Sequence, residues 1–320
     1  MKLNNRRINK VSPLLSLSFL LVAFMAAACV NTEPAEPGNG LRSFHDDLGR
    51  EVFLPAEVTR AVSLAPSVTE MVFAAGAGDR LVGVTTYCNF PKETEPIRKI
   101  GDTQTPNIES IVALKPQIVL VSTASQLEAF MNLLEQQRIA VLVMDPRSID
   151  DVPRHLVQLG RIFGTEETAE TRATTFAGRV SYIRHQVRYD RSSPENGYIR
   201  KPVRVFVQIS KEPLFTIGRE SFLNDAIEIA GGISVTKDVP GGYPKLSKET
   251  AMALDPQVLI LSDSEDNREP NAVFAKSPAV IDRRVYRINA DILSRPGPRL
   301  VDALEEIASK LRSQDHGEPK

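Results

Sequence analysis

The chain has little cysteine, with only Cys29 and Cys88 among its 320 residues. A disulfide needs two cysteines, so if Cys29 has another use, Cys88 has no partner within the chain. The fold must then depend on an apolar core and not on covalent cross-links. A hydrophobic content of 42% and a length sufficient for about two domains allow such a core.

Concentrated positive charge is lacking as well. The formal net charge is −1, and Lys and Arg are spread along the chain. Nucleic-acid-binding domains gather Lys and Arg on one face, so we expect no nucleic-acid partner. Beyond the N-terminal region, no segment approaches the run of about 20 apolar residues that a membrane span requires.

Catalytic motifs are missing too. The chain contains neither GxSxG nor GxxxxGK[ST], and Gly76-Ala-Gly78 follows a predicted helix and lacks the third glycine of a dinucleotide loop. The histidines are scattered and none are spaced as metal ligands; we expect His155 and His185 on surface helices. The full set is His45, His155, His185 and His316. We therefore predict no enzyme, no catalytic residues, no cofactor and no bound metal ion.

The N-terminal region has the pattern of a secretory signal. Four basic residues precede an apolar run at 14–24, which ends in MAAAC. The basic residues are Lys2, Arg6, Arg7 and Lys10. Cys29 resembles the lipidated cysteine of a bacterial lipoprotein, although a plain signal peptide with an incidental cysteine remains an alternative. We predict a signal peptide at 1–29, a flexible tether at 30–41, and an exported protein held by lipid in the periplasm or on the outer face of a bacterial membrane.

The rest of the chain alternates between strands and helices, which favours an α/β fold with parallel sheets. Strand-like runs at 60–66 and 81–86 flank a helix whose Ser67 and Glu70 match a capping box. Between 166 and 187, apolar residues recur in steps of three and four, so they form one stripe of a long helix. These are Ala169, Ala173, Phe176, Val180, Ile183 and Val187.

One helix-strand unit occurs twice. NIESIVALKPQIVLVS at 107–122 matches SKETAMALDPQVLILS at 247–262, and both copies carry a glutamate at the third position, Glu109 and Glu249. Duplication of an ancestral half accounts for this repeat. We predict an N-terminal lobe at 42–164, a linking helix at 165–190, a C-terminal lobe at 191–314 and a tail at 315–320, with a ligand cleft between the lobes.

Candidate ligand-binding residues lie in loops that follow predicted strands, where α/β sheets hold their ligands. TTYCNFP contributes Tyr87 and Phe90, GGYPKLS contributes Tyr243, and ADILSRPGPR contributes Arg295 together with Arg299. Aromatic faces suit a large flat or apolar ligand, and guanidinium groups suit phosphate or carboxylate. Packing beneath the loops, or solvation of the arginines, is the alternative for each.

Four stretches together resemble the cobalamin and ferric-siderophore binding proteins of ABC importers. They are SLAPSVTEMVFAAGAGDRLVGVTTYCNFP, NIESIVALKPQIVLVS, FTIGRESFLNDAIEIAGG and SRPGPRLVDALEEIA, and the resemblance runs from about residue 44 to 312. It implies two similar α/β lobes with mainly parallel sheets, joined by one long rigid helix. Where the cobalamin branch often places large aromatics, this chain has no tryptophan and has Thr103 and Gln104, which we add to the candidate cleft residues.

In that family a glutamate in each lobe docks into arginines of the membrane permease, and Glu109 and Glu249 occupy those places. A simple role at a helix N-terminus is the alternative, because an acid in the first turn is favoured by the helix dipole. Cys88 lies between Tyr87 and Phe90, so it either contacts a bound metal centre or is a half-buried bystander.

The resemblance implies a monomeric substrate-binding lipoprotein that captures a metal chelate and passes it to the permease of an ABC importer. TTYCNFP favours cobalamin or another corrinoid, with a ferric siderophore or haem as the second choice. A lipoprotein enzyme or adhesin on the same frame would need a nucleophile-base pair or a metal triad, which the sequence does not supply.

Overall fold

A computed structural model describes residues 40–122, 127–192 and 201–312. From Leu41 onward, the described residues form one compact unit. The predicted signal peptide, Cys29, nearly all of the tether and the tail lie outside the described residues, so these remain predictions. Within the described ranges, no helix is both long and apolar enough to cross a bilayer.

A hairpin and a parallel sheet form the N-terminal half. The hairpin pairs β1 (Leu41–His45) with β2 (Glu51–Pro55) in antiparallel register. The strands of the sheet are β3 (Ala61–Ser63), β4 (Leu81–Val84), β5 (Ile118–Val121) and β6 (Ala140–Val143), in the order β4-β3-β5-β6. Its helices are α1 (Pro66–Ala74), α2 (Ile108–Ala113), α3 (Leu127–Gln136) and α4 (Asp151–Phe163). Every strand pair of this sheet is parallel, as the alternation of strands and helices predicts.

A second sheet forms the C-terminal half. Its strands are β7 (Val203–Ser210), β8 (Phe215–Thr216), β9 (Gly232–Ser234), β10 (Val258–Asp263) and β11 (Val285–Asn289), in the order β11-β10-β7-β8 with β9 also on β7. Only β8 is antiparallel to its neighbour. The helices are α6 (Leu223–Ile229), α7 (Lys248–Ala253), α8 (Pro278–Ile281), α9 (Ala290–Leu293) and α10 (Leu300–Arg312), and α5 (Glu166–Ser192) lies between the halves.

The long helix α5 carries the predicted apolar stripe into the core. All six residues of that stripe are buried. They belong to one apolar cluster that also contains Leu120 of the first sheet and Val207 of the second. The prediction of two α/β halves with mainly parallel sheets, joined by one long helix, is confirmed. The exact domain boundaries stay predictions.

The sequence repeat is also a structural repeat. Each copy forms a six-residue helix, α2 or α7, followed by a residue with positive φ, Lys115 at 49° and Asp255 at 42°. Gln117 Oε1 then accepts the backbone N–H of Arg60 at 3.0 Å, and Gln257 Oε1 accepts that of Arg204 at 2.9 Å. The glutamine after each proline therefore fixes the start of the neighbouring strand, which gives a physical reason for its presence in both copies.

The predicted capping box at Ser67 and Glu70 is wrong. Helix α1 begins one residue earlier, at Pro66, and its N-cap Ala65 makes no side-chain capping bond. Proline is favoured at the first helical position because the N–H that it lacks would have no helical partner there. Ser67 and Glu70 therefore lie inside the helix, and both are buried.

The expected surface position of His155 is wrong as well. His155 lies on the buried face of α4 with no exposed area, and its Nε2 is 2.8 Å from Asp47 Oδ2. Arg154 Nη1 approaches the other oxygen of Asp47 at 3.0 Å. Burial alone would raise the pKa of Asp47, but these contacts and the backbone N–H of Asp145 hold it well below its usual value.

Replacement of Asp47 by asparagine should lower the free energy of unfolding by about 2 kcal/mol at neutral pH. The folded state favours the ionised carboxylate, so its contribution is complete above about pH 5 and is lost as the pH falls towards the lowered pKa of the folded state. Urea unfolding of both proteins at a series of pH values measures this. The difference between the two stabilities should shrink steadily below about pH 4 and vanish only below about pH 2; a difference that stays constant as the pH falls to about 2 would contradict the ion-pair explanation.

Candidate functional site

A cavity of about 740 Å³ opens between the two sheets. Its N-terminal wall includes Ser67 after β3, Ser122 after β5 and Arg147 after β6. Its C-terminal wall includes Arg219 after β8 and the segment 294–296 after β11 and α9. The N-terminal wall and the segment 294–296 follow the carboxyl ends of parallel strands, which is where parallel α/β sheets place their ligand sites, whereas Arg219 follows the antiparallel strand β8. This cavity is called the cleft below.

Three of the six predicted ligand-binding residues line the cleft: Thr103, Tyr243 and Arg295. Tyr243 is 45% exposed as a residue and lines the cleft with an aromatic side chain. Desolvation raises the pKa of its hydroxyl, although a hydrogen bond with Ser221 acts in the opposite direction. Tyr243 therefore stays protonated at neutral pH and is able to donate a hydrogen bond.

Tyr87, Phe90 and Gln104 do not line the cleft. Phe90 lines a second cavity of about 490 Å³, and the Arg299 guanidinium lies 4.0 Å from the centre of its ring. Tyr87 is 59% exposed, and its carbonyl accepts a long hydrogen bond of 3.4 Å from Arg295. Gln104 is exposed and follows a turn in which Asp102 accepts its backbone N–H.

Arg295 and Arg299 meet a buried carboxylate of the opposite half, in a group of residues that we call the inter-lobe ion cluster: Glu70, Asn89, Asp291, Arg295 and Arg299. Arg299 donates from Nε and Nη2 to the two oxygens of Glu70, at 2.8 and 2.6 Å. Arg295 donates from Nη1 to Glu70 at 3.1 Å and from Nη2 to Asp291 at 2.6 Å. Asn89 bridges Arg295 and Asp291 at 2.8 and 2.9 Å.

Within the inter-lobe ion cluster, carboxylates of the protein neutralise Arg295 and Arg299, the two arginines that the sequence analysis proposed as ligand contacts. Hydrogen bonds from Arg299 to Glu70 raise the pKa of Arg299 above its ordinary value, so the guanidinium stays charged and paired. The side chain of Arg295 is only 14% exposed. Arg295 therefore forms part of the cleft wall, but its positive charge is neutralised by Glu70 and Asp291. Sequence reasoning missed Glu70 because its partners lie more than 220 residues away.

Sequence reasoning missed other residues of the cleft, although their positions in the sequence contained a signal for them. DPR at 145–147 lies at the end of the predicted strand AVLVMD (140–145), and GRES at 218–221 follows the short strand β8. Both segments line the cleft. The position of a loop just after a strand, which identified TTYCNFP, applied equally to these two segments.

Glu109 and Glu249 occupy equivalent positions in the two halves. Each is the second residue of its helix, α2 or α7, and each is exposed. Asn107 caps the first helix by accepting the Ser110 N–H at 2.7 Å, and Ser247 caps the second by accepting the Thr250 N–H at 3.1 Å. Hydrogen bonds from its own backbone N–H and from Ser247 lower the pKa of Glu249, which favours its charged form.

Cys88 is buried in the core, with 2% exposure, and does not line the cleft. Its sulfur lies 3.1 Å from the Thr85 hydroxyl and 3.2 Å from the Thr69 hydroxyl. A thiol enclosed in this way has no path to a ligand's metal centre. Within residues 40–122, 127–192 and 201–312, no group of three His, Cys, Asp or Glu side chains could hold a metal ion.

The amino-acid sequence of this chain is similar to that of a known protein family. The periplasmic binding protein family matches residues 62–292. The vitamin B12-binding protein of Pectobacterium carotovorum subsp. carotovorum (strain PC1) is 30% identical over 258 residues, which cover 81% of this chain and 90% of the relative. The uncharacterized ABC transporter substrate-binding lipoprotein YvrC of Bacillus subtilis (strain 168) is 26% identical over 92% of this chain and 95% of its own length.

Among solved structures, the periplasmic vitamin B12 binding protein BtuF of Vibrio cholerae superimposes with a TM-score of 0.72. It is 28% identical, and the match covers 81% of this chain and 99% of that protein. The family resemblance, the fold and the expectation of a transport component that is not an enzyme are thereby confirmed. This chain belongs to the periplasmic binding protein family, whose members bind substrates for transport.

Proposed function

We propose that this chain captures a metal chelate in the cleft, with cobalamin or a related corrinoid as the favoured ligand, and delivers it to the permease of an ABC importer. The cleft carries this proposal. Its volume of about 740 Å³ falls within the range of small-molecule sites, roughly 300–1,000 Å³. Identity of 30% with a vitamin B12-binding protein supports the corrinoid.

A ferric siderophore or haem is the second candidate. The chain has no tryptophan, so Tyr243 supplies the half-exposed aromatic surface of the cleft. A site with few aromatic faces selects its ligand through polar contacts around the periphery more than through stacking on the flat face. The peripheral groups of the chelate therefore decide between the candidates.

Titration of the purified protein with cyanocobalamin, cobinamide, haem, a ferric hydroxamate and a ferric catecholate tests the ligand. We expect the corrinoids to bind with Kd of about 1 µM or tighter and the others at least about tenfold more weakly. Tyr243→Ala should weaken corrinoid binding about tenfold, because it removes an aromatic contact in the cleft. Tyr182→Ala, an exposed tyrosine on α5, is the matched control. Tighter binding of haem or of a ferric chelate would favour the second candidate.

Lipid attachment at Cys29 is part of the proposal. Its support is the basic and apolar leader and the small residues before the cysteine. In a bacterial host, Cys29→Ser should move most of the protein from the membrane fraction to the soluble fraction, measured by fractionation and immunoblotting. Cys88→Ser, at the enclosed thiol, should leave the partition unchanged. Equal membrane retention of both variants would refute anchoring through Cys29.

The remaining elements of the proposal concern delivery. Glu109 and Glu249 are the proposed contacts with the permease, supported by their exposure and their equivalent positions after matched N-caps. The receptor acts as a monomer that uses one lobe for each contact. The experiment for this step is given in the Discussion because its expected effect is large.

A further inference from the structure

We propose that the cleft recognises neutral carboxamide groups on the two sides of its ligand that face the lobes. Asp145 and Arg147 form one recognition pair, and Arg219 and Glu220 form the other. This recognition rests on the proposed capture of a metal chelate in the cleft. Recognition of carboxamides would distinguish an amidated corrin from a porphyrin that bears carboxylates and from an anionic ferric chelate.

The N-terminal lobe contributes Asp145 and Arg147 to the cleft, and the C-terminal lobe contributes Arg219 and Glu220 besides Arg295. In the N-terminal lobe, Arg147 Nε lies 3.0 Å from Asp145 Oδ2, and the arginine side chain remains 77% exposed. The loop is held in place because Asp151 Oδ2 accepts the backbone N–H groups of Arg147 and Ser148 at 3.0 and 2.9 Å. The two terminal nitrogens of Arg147 thus project from a fixed loop.

The C-terminal pair is fixed by backbone contacts. Arg219 N–H donates to Val239 O at 2.7 Å, and Glu220 N–H donates to Gly241 O at 3.3 Å. The loops approach so closely at Gly218 that a Cβ there would lie 2.2 Å from Gly241 O. Arg219 Nη2 donates to a backbone carbonyl, while the Glu220 carboxylate has no partner among the described residues.

The charges of the cleft balance. Arg147 and Arg219 are matched by Asp145 and Glu220, and the charge of Arg295 is already used by Glu70 and Asp291. A ligand with carboxylates at these positions would meet two carboxylates of the protein, and like charges in contact are strongly unfavourable. A cationic ligand would meet two guanidinium groups in the same way.

A primary carboxamide satisfies both members of such a pair. Its carbonyl oxygen accepts from the guanidinium, and its NH₂ group donates to the carboxylate. A site that is built for donor and acceptor together also rejects analogues that lack either group, because one protein group is then left unpaired. The hydroxyls of Ser67, Ser221 and Ser294 in the same walls donate or accept as required and do not alter this preference.

A pair of corrins that differ in these groups provides the test. Cobinamide carries amides where cobyrinic acid carries carboxylates, and both are titrated into the purified full chain as dicyano complexes so that the cobalt ligands match. We expect cobinamide to bind at least about tenfold more tightly. Equal binding, or tighter binding of cobyrinic acid, overturns the amide inference while leaving chelate capture intact. Failure of every corrin and haem to bind overturns both.

The double variant Asp145→Asn with Glu220→Gln ties the preference to these residues. It keeps the shape of both side chains and removes the negative charges, so the preference for cobinamide should fall to about threefold or less. Glu93→Gln, at an exposed carboxylate beside the second cavity, is the matched control and should keep the full preference. An unchanged preference in the double variant would assign the discrimination to other groups and overturn the inference.

Discussion

Replacement of Glu70 by glutamine should lower the free energy of unfolding by about 3 kcal/mol. The Glu70 side chain is 2% exposed and is the shared acceptor for Arg295 and Arg299 across the two halves. Glutamine keeps the shape but removes the charge, which leaves two largely buried guanidinium groups without their main counter-ion. Their residual exposure, 14% and 22%, places the expected loss at the low end of the range for broken buried ion pairs.

Chemical unfolding in urea measures this loss, and two further variants are measured for comparison. Glu93→Gln removes an exposed carboxylate from the neighbouring cavity and should change stability by less than about 0.5 kcal/mol. Glu70→Leu combined with Arg295→Met and Arg299→Met removes all three charges, and most of the lost stability should return. A loss below about 1 kcal/mol for Glu70→Gln would mean that the inter-lobe ion cluster contributes little to the fold.

Substitution of both Glu109 and Glu249 by alanine should reduce ligand uptake by intact cells at least about tenfold, while ligand affinity stays within about twofold. Both carboxylates are exposed at the starts of matched helices, outside the cleft. Their removal takes two negative charges from the surface that would meet permease arginines. Each substitution also loses a favourable interaction with the helix dipole at an exposed position, which is too little to unfold the protein.

The control for this experiment is Glu167→Ala. Glu167 is likewise exposed in the first turn of a helix, α5, so its removal reproduces the dipole effect without touching the proposed docking positions. Uptake should remain normal in this variant. Uptake is measured with labelled cobalamin in cells that depend on this receptor, and affinity is measured by titration of the purified proteins. A collapse of affinity in the double variant, or normal uptake, would remove the docking role.

Local pattern and repetition predict the frame of this molecule well. The apolar stripe of α5 has the period of a helix, and the two copies around Glu109 and Glu249 share a side-chain N-cap at the same position and the same Pro-Gln pair. These signals are contained in short segments of the sequence. For that reason the two sheets, the long helix and both helices that carry the glutamates are predictable from the amino-acid sequence.

The side chains of the cleft were harder to predict because their roles depend on distant partners. Arg295 has the composition and position of a ligand contact, yet a glutamate from the other half takes up its charge. Phe90 follows a strand as a ligand-binding aromatic would, yet its ring faces Arg299 in a different cavity. In both cases the deciding contact crosses between the halves, and no local pattern reports such a pairing.

The shared apolar cluster has a consequence for the protein as a folding unit. Residues of β2, of both sheets, of α5 and of α10 belong to it, among them Leu54, Leu120, Phe176, Val207 and Leu304. Neither half could keep this interior if it were made alone, because each would expose the surface that the other covers. The two halves therefore form a single cooperative folding unit, which should gain and lose its structure in one step.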